Sequence, residues 1–300
     1  MSSDLAKKLV WMFGSPRTGS TWLMQLLADA PEVGQIDEPY IPLHLVPMDH
    51  TVPEGEYYEH GVRANDPNYF FARRYLPEFK PQLRELILTG FRRQLTELGQ
   101  DPETLRWLVI KEPNGSHAAD SVMSLFPESR LIFLLRDGRD VIDSLMDAMM
   151  GADSWWQKHQ SSDKPQIAAD RMGFVHHNTR LWLNRTLSTQ RAFQIAGEEQ
   201  RFLVRYEELL DETQPLLEAM LRWLRLDSSA EQVREVVERR SFAAIPEDQK
   251  GPGKRARSAN PGQWRERLLP AEIEVIEREM GDKLRELGYP AIEDVQPTGG

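Results

Sequence analysis

The chain has no cysteine among its 300 residues. Disulfide bonds, thiolate metal sites and cysteine nucleophiles are therefore excluded. Long apolar runs are also missing, since a bilayer-spanning helix needs about 20 apolar residues in succession. The apolar run at residues 9–13, which follows Lys7 and Lys8, is too short for the core of a signal peptide. We therefore expect a cytoplasmic protein with no membrane span.

Positive charge is in short supply over the whole chain, which has 37 Lys and Arg against 47 Asp and Glu, a net charge of −10. That balance argues against a general partner for nucleic acid or for anionic membranes. One stretch reverses it, because residues 250–267 hold six cations and a single acid, Glu266. Glycines and prolines make this stretch a loop, and a bound polyanion would explain its charge.

Hydrophobic patterning predicts alternating strands and helices. Short apolar runs are typical of strands buried on both faces of a parallel sheet, and they occur at residues 9–13, 107–110, 131–135 and 202–204. Helical stretches lie between and after them, at residues 20–30, 81–98, 139–150, 167–196, 209–226, 230–240 and 270–287. We predict an α/β protein whose central parallel sheet of about five strands is flanked by helices. It forms one domain over residues 1–300, with a core at 9–290 and a flexible tail at 291–300.

The first strand leads directly into a loop bounded by Gly14 and Gly19. A strand, a glycine-bounded loop and a helix together form the geometry in which backbone N–H groups surround a phosphate. The spacing matches the loop of P-loop nucleotide triphosphatases, and Thr21 matches its closing hydroxyl residue. Ser20, however, stands where those proteins need lysine, and the cation sits earlier, at Arg17. The alternative is an ordinary turn with capping Ser and Thr residues.

A second anion site is predicted where the third of these apolar runs ends. Arg136 follows that run at the edge where open α/β sheets bind ligands, and Ser144 lies in the first turns of the next helix, which Asp137 or Asp140 can cap. An arginine and a hydroxyl so placed can hold one phosphate from two sides. In the alternative interpretation, Arg136 and Arg139 only pair with neighbouring aspartates on a solvated face.

In this order, the motifs resemble those of the sulfotransferases that use 3′-phosphoadenosine 5′-phosphosulfate (PAPS). Residues 15–22 are similar to their 5′-phosphosulfate loop, and the segment from Arg136 to Ser144 resembles their 3′-phosphate motif. Residues 257–264 look like their Arg-Lys-Gly…Gly-x-Trp loop but depart from it at Ser258 and Ala259. The resemblance implies donor-binding roles for Ser15, Pro16, Arg17, Thr18, Gly19, Ser20, Thr21, Trp22, Arg136, Ser144, Tyr206, Phe242, Arg257, Ser258 and Ala259.

The resemblance also implies a general base, which removes the proton from the acceptor. Carbohydrate and tyrosylprotein sulfotransferases have a catalytic glutamate where this chain has Glu38. Many cytosolic members instead use a histidine two residues after a lysine, but here Lys111 is followed by Glu112 and then Pro113. We therefore predict the bacterial or carbohydrate type, with Glu38 as the first choice of base and Glu112 as the second. Arg17 and Lys111 complete the predicted catalytic set.

The predicted reaction is transfer of a sulfuryl group from PAPS to a hydroxyl or amine, which releases 3′,5′-diphosphoadenosine (PAP). The moving group carries little charge, so cations and oriented amides can serve without a metal. The predicted acceptor is a small molecule, a carbohydrate or a lipid; its identity and the oligomeric state stay open. There are two alternatives to this function. One is a small-molecule or nucleoside kinase with a variant phosphate loop, and the other is a non-catalytic nucleotide-binding module.

Overall fold

The structure, a computed structural model, describes residues 2–44, 66–68, 73–150, 170–251 and 259–292. Its centre is a five-stranded sheet in which every neighbouring pair of strands runs parallel. The strands lie in the order β2-β3-β1-β4-β5. Their bounds are β1 Leu9–Phe13, β2 Val33–Asp37, β3 Trp107–Lys111, β4 Arg130–Leu135 and β5 Arg201–Arg205.

The central strand β1 shows why its apolar run is unbroken. Trp11 and Phe13 pack into one hydrophobic cluster, whereas Val10 and Met12 pack into another on the opposite face of the sheet. Successive side chains of a strand point to opposite faces, so a strand covered by helices on both sides must be apolar throughout. The predicted parallel sheet with helices on both faces is confirmed.

Strand β2 was not located from the sequence, which placed only four strands. Its sequence, Val33-Gly-Gln-Ile-Asp37, contains only two large apolar side chains. It lies at the edge of the sheet beside β3, where a strand needs less apolar surface than in the centre. The strand matters for function because its last residue, Asp37, directly precedes Glu38.

Helices cover the sheet and account for most of the remaining described residues. In chain order they are α1 Ser2–Lys7, α2 Ser20–Ala28, α3 Ile41–His44, α4 Leu76–Glu97, α5 Ala119–Leu125, α6 Gly138–Met150, α7 Arg171–Ile195, α8 Tyr206–Asp211, α9 Thr213–Trp223, α10 Ala230–Arg239, α11 Trp264–Arg267 and α12 Pro270–Glu286. Among the residues described, no helix is both long and apolar enough to cross a membrane.

Two helix predictions were wrong in their bounds. The single helix predicted at 209–226 is two helices, α8 and α9, because Glu212 between them has φ −128° and ψ 45°, outside the helical region. The helix predicted from Pro81 begins instead at Leu76, and Pro81 lies inside it. Residues 293–300 of the predicted tail lie outside the described residues.

The parallel arrangement brings every strand's carboxyl end to one edge of the sheet. The chain passes from β1 to β2 on one side and later to β4 on the other side of β1. In open α/β sheets, ligands bind at such a reversal of strand order. The loops after β1 and β4 meet there, and they carry the two predicted phosphate sites.

Candidate active site

The loop after β1 has an unusual backbone at the predicted phosphate site. Arg17 adopts a left-handed conformation with φ 69°, and Gly19 does so with φ 83°. A side chain on Gly19 would lie 2.7 Å from the ring of Tyr206, so only glycine fits both the backbone and the space. For Arg17 the same conformation costs on the order of 1 kcal/mol. Non-glycine residues held in this way cluster at functional sites.

The start of the loop is fixed by a side chain from another strand's loop. Gly14 N–H donates to Ser116 Oγ at 2.9 Å, and the Ser116 hydroxyl lies 2.8 Å from Gly14 O and 2.9 Å from Glu112 O. A Cβ on Gly14 would meet the Leu134 carbonyl oxygen at 2.1 Å. The phosphate loop is therefore tied to the segment after β3 and packed tightly on β4.

The two predicted phosphate sites are joined directly. Arg17 Nε donates to Ser144 Oγ at 3.0 Å, and Arg136 Nη1 donates to the carbonyl oxygen of Arg17 at 2.7 Å. The Arg136 guanidinium also lies 4.4 Å above the ring of Tyr206. Arg17, Arg136, Ser144 and Tyr206, which come from three separate stretches of sequence, thus form one cluster.

In the described part of the chain, two polar atoms at the predicted phosphate sites are buried without a hydrogen-bond partner. They are Ser15 Oγ and Arg136 Nε, and both residues are less than a tenth exposed. Buried polar groups are nearly always hydrogen-bonded, so an unpartnered one requires an explanation. A bound anion would satisfy both, since each is a donor.

Arg139 differs from Arg136 although the two lie three residues apart. Its guanidinium is fully buried, pairs with Asp137 at 2.8 Å and with Glu277 at 3.2 Å, and lies 4.4 Å above the Trp264 ring. The prediction of aspartate pairing was right for Arg139, but the expected solvated face was wrong. Asp137 also accepts the Arg139 backbone N–H at 2.9 Å, which makes it the cap of α6.

Asp140, the other candidate for that cap, has a different task. Its two carboxylate oxygens accept the backbone N–H of Gly262 at 3.0 and 2.8 Å. Burial raises the pKa of Asp140 to about 6, partly offset by the charge of Arg136 and the hydrogen bond from Gly262. Asp140 therefore connects the basic loop, residues 250–267, to the first turn of α6 by hydrogen bonds. The capping role considered for it was wrong.

The basic loop itself is only partly described. Arg257 and Ser258 lie outside the described residues, whereas Ala259 has φ 47°. This left-handed backbone favours glycine, and glycine is the residue that the resembling motif has at this position. The chain therefore departs from that motif at a position whose backbone glycine adopts more readily than alanine does.

Two of the predicted donor-binding residues, Trp22 and Phe242, are connected through Arg240. Trp22, in the first turn of α2, donates from Nε1 to the Arg240 carbonyl at 2.8 Å, and Arg240 pairs with Asp29 at 2.6 Å. Phe242 follows two residues later, with Lys250 Nζ 5.1 Å above its ring. These contacts bring the first turn of α2 next to the segment that carries Phe242.

Lys111 lies between the phosphate loop and the predicted base. The side chain is 1% exposed, and its Nζ is 2.9 Å from Thr21 Oγ1. The same nitrogen pairs with Asp37 Oδ1 at 2.6 Å and with Glu38 Oε1 at 3.0 Å. The buried ammonium thus connects the phosphate loop, at Thr21, with the two carboxylates at the end of β2.

Glu38 is held at both of its carboxylate oxygens. Oε1 faces Lys111, while Oε2 accepts from Asn114 Nδ2 at 2.9 Å and from the Tyr40 hydroxyl at 3.1 Å. Burial and the charge of Glu38 raise the pKa of Tyr40, so its hydroxyl stays a donor. Glu38 is a quarter exposed and has φ 48°.

Glu112 is fully buried. Its Oε1 accepts the backbone N–H of Ile41 at 2.8 Å, and its Oε2 has no partner among the described residues. Burial, together with the charge of Glu38, raises the pKa of Glu112 to about 8 against the lowering effect of the hydrogen bond from Ile41. Glu112 is thus enclosed, whereas Glu38 is accessible.

Three residues of the site were missed by sequence reasoning: Asp37, Asn114 and Ser116. Asp37 would have been found with strand β2, since it is the last residue of that strand. Asn114 and Ser116 follow β3 closely, but nothing in their spacing shows that they reach Glu38 and Gly14. No group of three or more histidine, aspartate and glutamate side chains in the described part of the chain is placed to hold a metal ion.

Fold and site together define a phosphate-loop protein with a doubly wound parallel sheet and an arginine in its loop. A sequence model of the sulfotransferase family matches residues 10–230, which is most of the chain and includes both predicted phosphate sites. The chain belongs to the sulfotransferase family, and the predicted resemblance is confirmed. No curated protein matches the sequence.

Solved structures of sulfotransferases share the fold at low sequence identity. Sulfotransferase STF9 from Mycobacterium avium matches with a TM-score of 0.55 and 17% identity over 94% of this chain and 77% of its own. The sulfotransferase domain of the olefin synthase from Synechococcus PCC 7002 has a TM-score of 0.51 and 16% identity over 94% and 95%. Mouse sulfotransferase SULT7A1, complexed with PAP, has a TM-score of 0.53 and 13% identity over 96% and 93%.

Proposed function

We propose that the protein transfers a sulfuryl group from PAPS to a hydroxyl or amine and releases PAP. The observation that supports this most is the direct link between the two predicted phosphate sites, Arg17 to Ser144 and Arg136 to the Arg17 carbonyl. A donor with phosphates at both its 3′ and 5′ positions needs two anion sites in fixed relation. Family membership and the PAP complex of the mouse structure support the same donor.

The residues divide the reaction between a donor side and an acceptor side. Glu38 takes the proton of the acceptor as the acceptor's oxygen or nitrogen bonds to sulfur. The bond from sulfur to the bridging oxygen breaks, and its electron pair stays on the 5′-phosphate of PAP. Arg17, with Ser20 and Thr21, stabilises the charge on that oxygen, as oriented donors do for developing anions. Lys111 contacts both Thr21 and Glu38 and therefore acts on both sides.

Glu38 suits the base better than Glu112 does. A general base must come within about 2.6–3.2 Å of the proton it removes, and only Glu38 of these two is exposed. Its hydrogen bonds with Asn114 and Tyr40 fix the orientation of Oε2. The exposed hydroxyl of Tyr40 beside Oε2 suits an acceptor that itself carries a hydroxyl.

The acceptor belongs to the class of small molecules, carbohydrates or lipids. The sequence also makes the aromatic stretch from Tyr57 to Tyr75 and the pair Trp155 and Trp156 candidates for the walls of the acceptor pocket, with ordinary core packing as the alternative. Trp155, Trp156 and most of that stretch lie outside the described residues, whereas Tyr75 is described, and its hydroxyl donates to the Pro67 carbonyl at 2.9 Å. We also propose a single domain over residues 1–300. The cytoplasmic location stays a prediction.

Calorimetry with PAP and with adenosine 5′-phosphate tests the donor. We expect PAP to bind at least about 10-fold more tightly, because charge-assisted hydrogen bonds to the 3′-phosphate contribute about 1.5–3 kcal/mol. Equal affinities would contradict the proposal. Sulfur-labelled PAPS with a panel of acceptors then separates an enzyme from a non-catalytic binding module. Transfer from ATP with magnesium, and none from PAPS, would favour the kinase.

A further inference from the structure

Glu112 is fixed by the fold at every polar group but one. Its backbone N–H donates to Met12 O at 3.0 Å, its carbonyl accepts from Ser116 Oγ at 2.9 Å, and its Oε1 accepts the Ile41 N–H at 2.8 Å. The residue is fully buried. A side chain held in this way cannot reach an acceptor, although it lies next to Lys111.

The segment that Glu112 holds is the one that presents Glu38. In the segment 38–41, Glu38 has φ 48° and Tyr40 has φ 56°. This left-handed backbone conformation costs each residue free energy because neither is glycine. Such conformations persist only where the surrounding structure enforces them. Two contacts from the end of β3 do so here: Glu38 N–H donates to the Lys111 carbonyl at 2.9 Å, and Ile41 N–H donates to Glu112.

The remaining oxygen, Oε2, is buried without a partner among the described residues. An ionised carboxylate would leave uncompensated negative charge on that atom, which is costly in the interior. The groups that face Glu112 are the Glu38 carboxylate, the Lys111 ammonium, the Tyr40 phenol and the backbone N–H groups of Tyr40 and Ile41. Lys111 is already shared with Asp37 and Glu38. A proton on Oε2 avoids a third negative charge beside one cation.

We propose that Glu112 is a positioning residue that holds the Glu38 segment in its strained conformation and does so as a neutral carboxylic acid. The proposal rests on the proposed function, because it takes Glu38 as the base. It assigns to Glu112 a task different from the alternative catalytic role predicted from the sequence. The direction of its pKa agrees, since burial raises that pKa to about 8.

The neutral form predicts a distinctive pH dependence. Once the pH exceeds the pKa of Glu112, the unpartnered oxygen becomes charged, and the segment must rearrange to solvate it or to draw Lys111 away from Glu38. We therefore expect kcat of the wild-type protein to fall above about pH 8, with a smaller change in the KM for PAPS. A glutamine has the same shape, accepts the Ile41 hydrogen bond and cannot ionise.

Kinetics of Glu112→Gln and Glu112→Ala test the proposal. We expect Glu112→Gln to keep kcat at pH 7 and to lack the alkaline fall. Glu112→Ala should lower kcat by about 10- to 100-fold, since a misplaced catalytic group has an effect of that size. Glu272→Gln, which changes a buried glutamate paired with Arg171, is the control and should keep the wild-type pH profile.

Two kinetic outcomes would overturn the proposal. If Glu112→Gln were as inactive as Glu112→Ala, an ionised carboxylate would be required. If Glu112→Ala kept the wild-type kcat, the residue would position nothing that the reaction uses.

A second measurement is independent of activity. Hydrogen exchange read by mass spectrometry on the peptide containing residues 38–44 should show wild-type protection in Glu112→Gln and faster exchange in Glu112→Ala. Equal protection in all three proteins would overturn the positioning role. If no acceptor were ever sulfated, the proposed function would fail while the exchange result could still show how Glu112 holds the segment. If Glu112→Ala does not fold, the pH profile of kcat and the hydrogen exchange of Glu112→Gln still decide whether Glu112 acts as a neutral acid.

Discussion

Arg17 and Ser144 are 127 residues apart in the chain, yet Arg17 Nε donates to Ser144 Oγ at 3.0 Å. The contact joins the loop after β1 to the second turn of α6. Arg17 is held for it by a left-handed backbone and by the hydrogen bond from Arg136 to its carbonyl. Both the backbone and the side chain of Arg17 are thus fixed, and fixed donors are what strong electrostatic catalysis requires.

Replacing Arg17 should impair turnover more than donor binding. Arg17→Ala removes a charge that acts mainly on the breaking bond, and the loss of one such group lowers kcat by about 100- to 1000-fold. The backbone of the loop, Ser15 and Arg136 remain to hold PAP, so its dissociation constant should change much less. Steady-state kinetics and calorimetry measure the two effects, with Arg93→Ala, at an exposed surface pair, as the control. A change in affinity alone would show that Arg17 has no catalytic role.

Substitution by alanine should have different effects at Arg136 and at Arg139. It should mainly weaken PAP binding at Arg136 and mainly lower folding stability at Arg139. Arg136→Ala removes the donor with the unpartnered Nε, so we expect PAP to bind about 10- to 100-fold more weakly with a modest change in stability. Arg139→Ala leaves Asp137 and Glu277 without their buried partner, which costs about 3–5 kcal/mol of folding stability. Calorimetry with PAP and thermal unfolding measure the two effects. The assignment fails if Arg136→Ala binds PAP as the wild-type protein does.

The sequence predicts the donor side of this site better than the acceptor side, and the reason is physical. Gly14, Arg17 and Gly19 follow a central strand whose unbroken apolar run predicts it without ambiguity. Glu38 follows edge strand β2, whose glycine and glutamine weaken the pattern. Glu38 was reached only through resemblance, and its partners Asp37 and Asn114 were missed.

Contacts between distant segments lie beyond sequence reasoning. The hydrogen bond from Ile41 to Glu112 joins residues 71 apart, and that from Gly262 to Asp140 joins residues 122 apart. Each depends on which loops the sheet order brings together. Local patterns carry no information on such pairs.

Replacing Glu38 by glutamine should abolish transfer and preserve donor binding. The amide keeps the size of the side chain and can still accept a hydrogen bond, but it cannot take a proton from the acceptor. Formation of sulfated acceptor from labelled PAPS measures the loss of transfer. Calorimetry with PAP measures the preserved donor binding. Asp37→Asn is the matched control, since it alters the neighbouring carboxylate on Lys111 and should keep substantial turnover. Near-normal activity of Glu38→Gln would transfer the role of base to another group.

Asp140 should make the protein lose stability as the pH rises from about 4 to about 6. Its pKa is raised from 3.8 to about 6 in the folded state, so the folded protein binds a proton more tightly than the unfolded chain does. The stabilisation is complete below the unfolded pKa and is lost as pH rises through the folded one, on the order of 3 kcal/mol at most. In Asp140→Asn the contribution of Asp140 to this slope should be lost, so the slope should become shallower, while the contribution of Glu112, whose pKa is raised to about 8, remains. Thermal unfolding over this pH range, with the wild-type protein as reference, measures it, and an unchanged slope would show that another group titrates.

Transfer should not depend on a divalent metal. Arg17, Lys111 and Arg136 supply positive charge on the donor side, and the sulfuryl group carries less negative charge than a phosphoryl group does, so fixed cations and N–H donors can stabilise its transfer. We expect the rate from PAPS to be the same after chelator treatment and gel filtration as with added magnesium or manganese. A kinase with the same loop would lose its activity entirely, because the metal bridges the phosphates of its donor. A metal-dependent rate from PAPS would mean that these cations are insufficient, and titration of the apo protein with magnesium would then show saturable recovery of kcat.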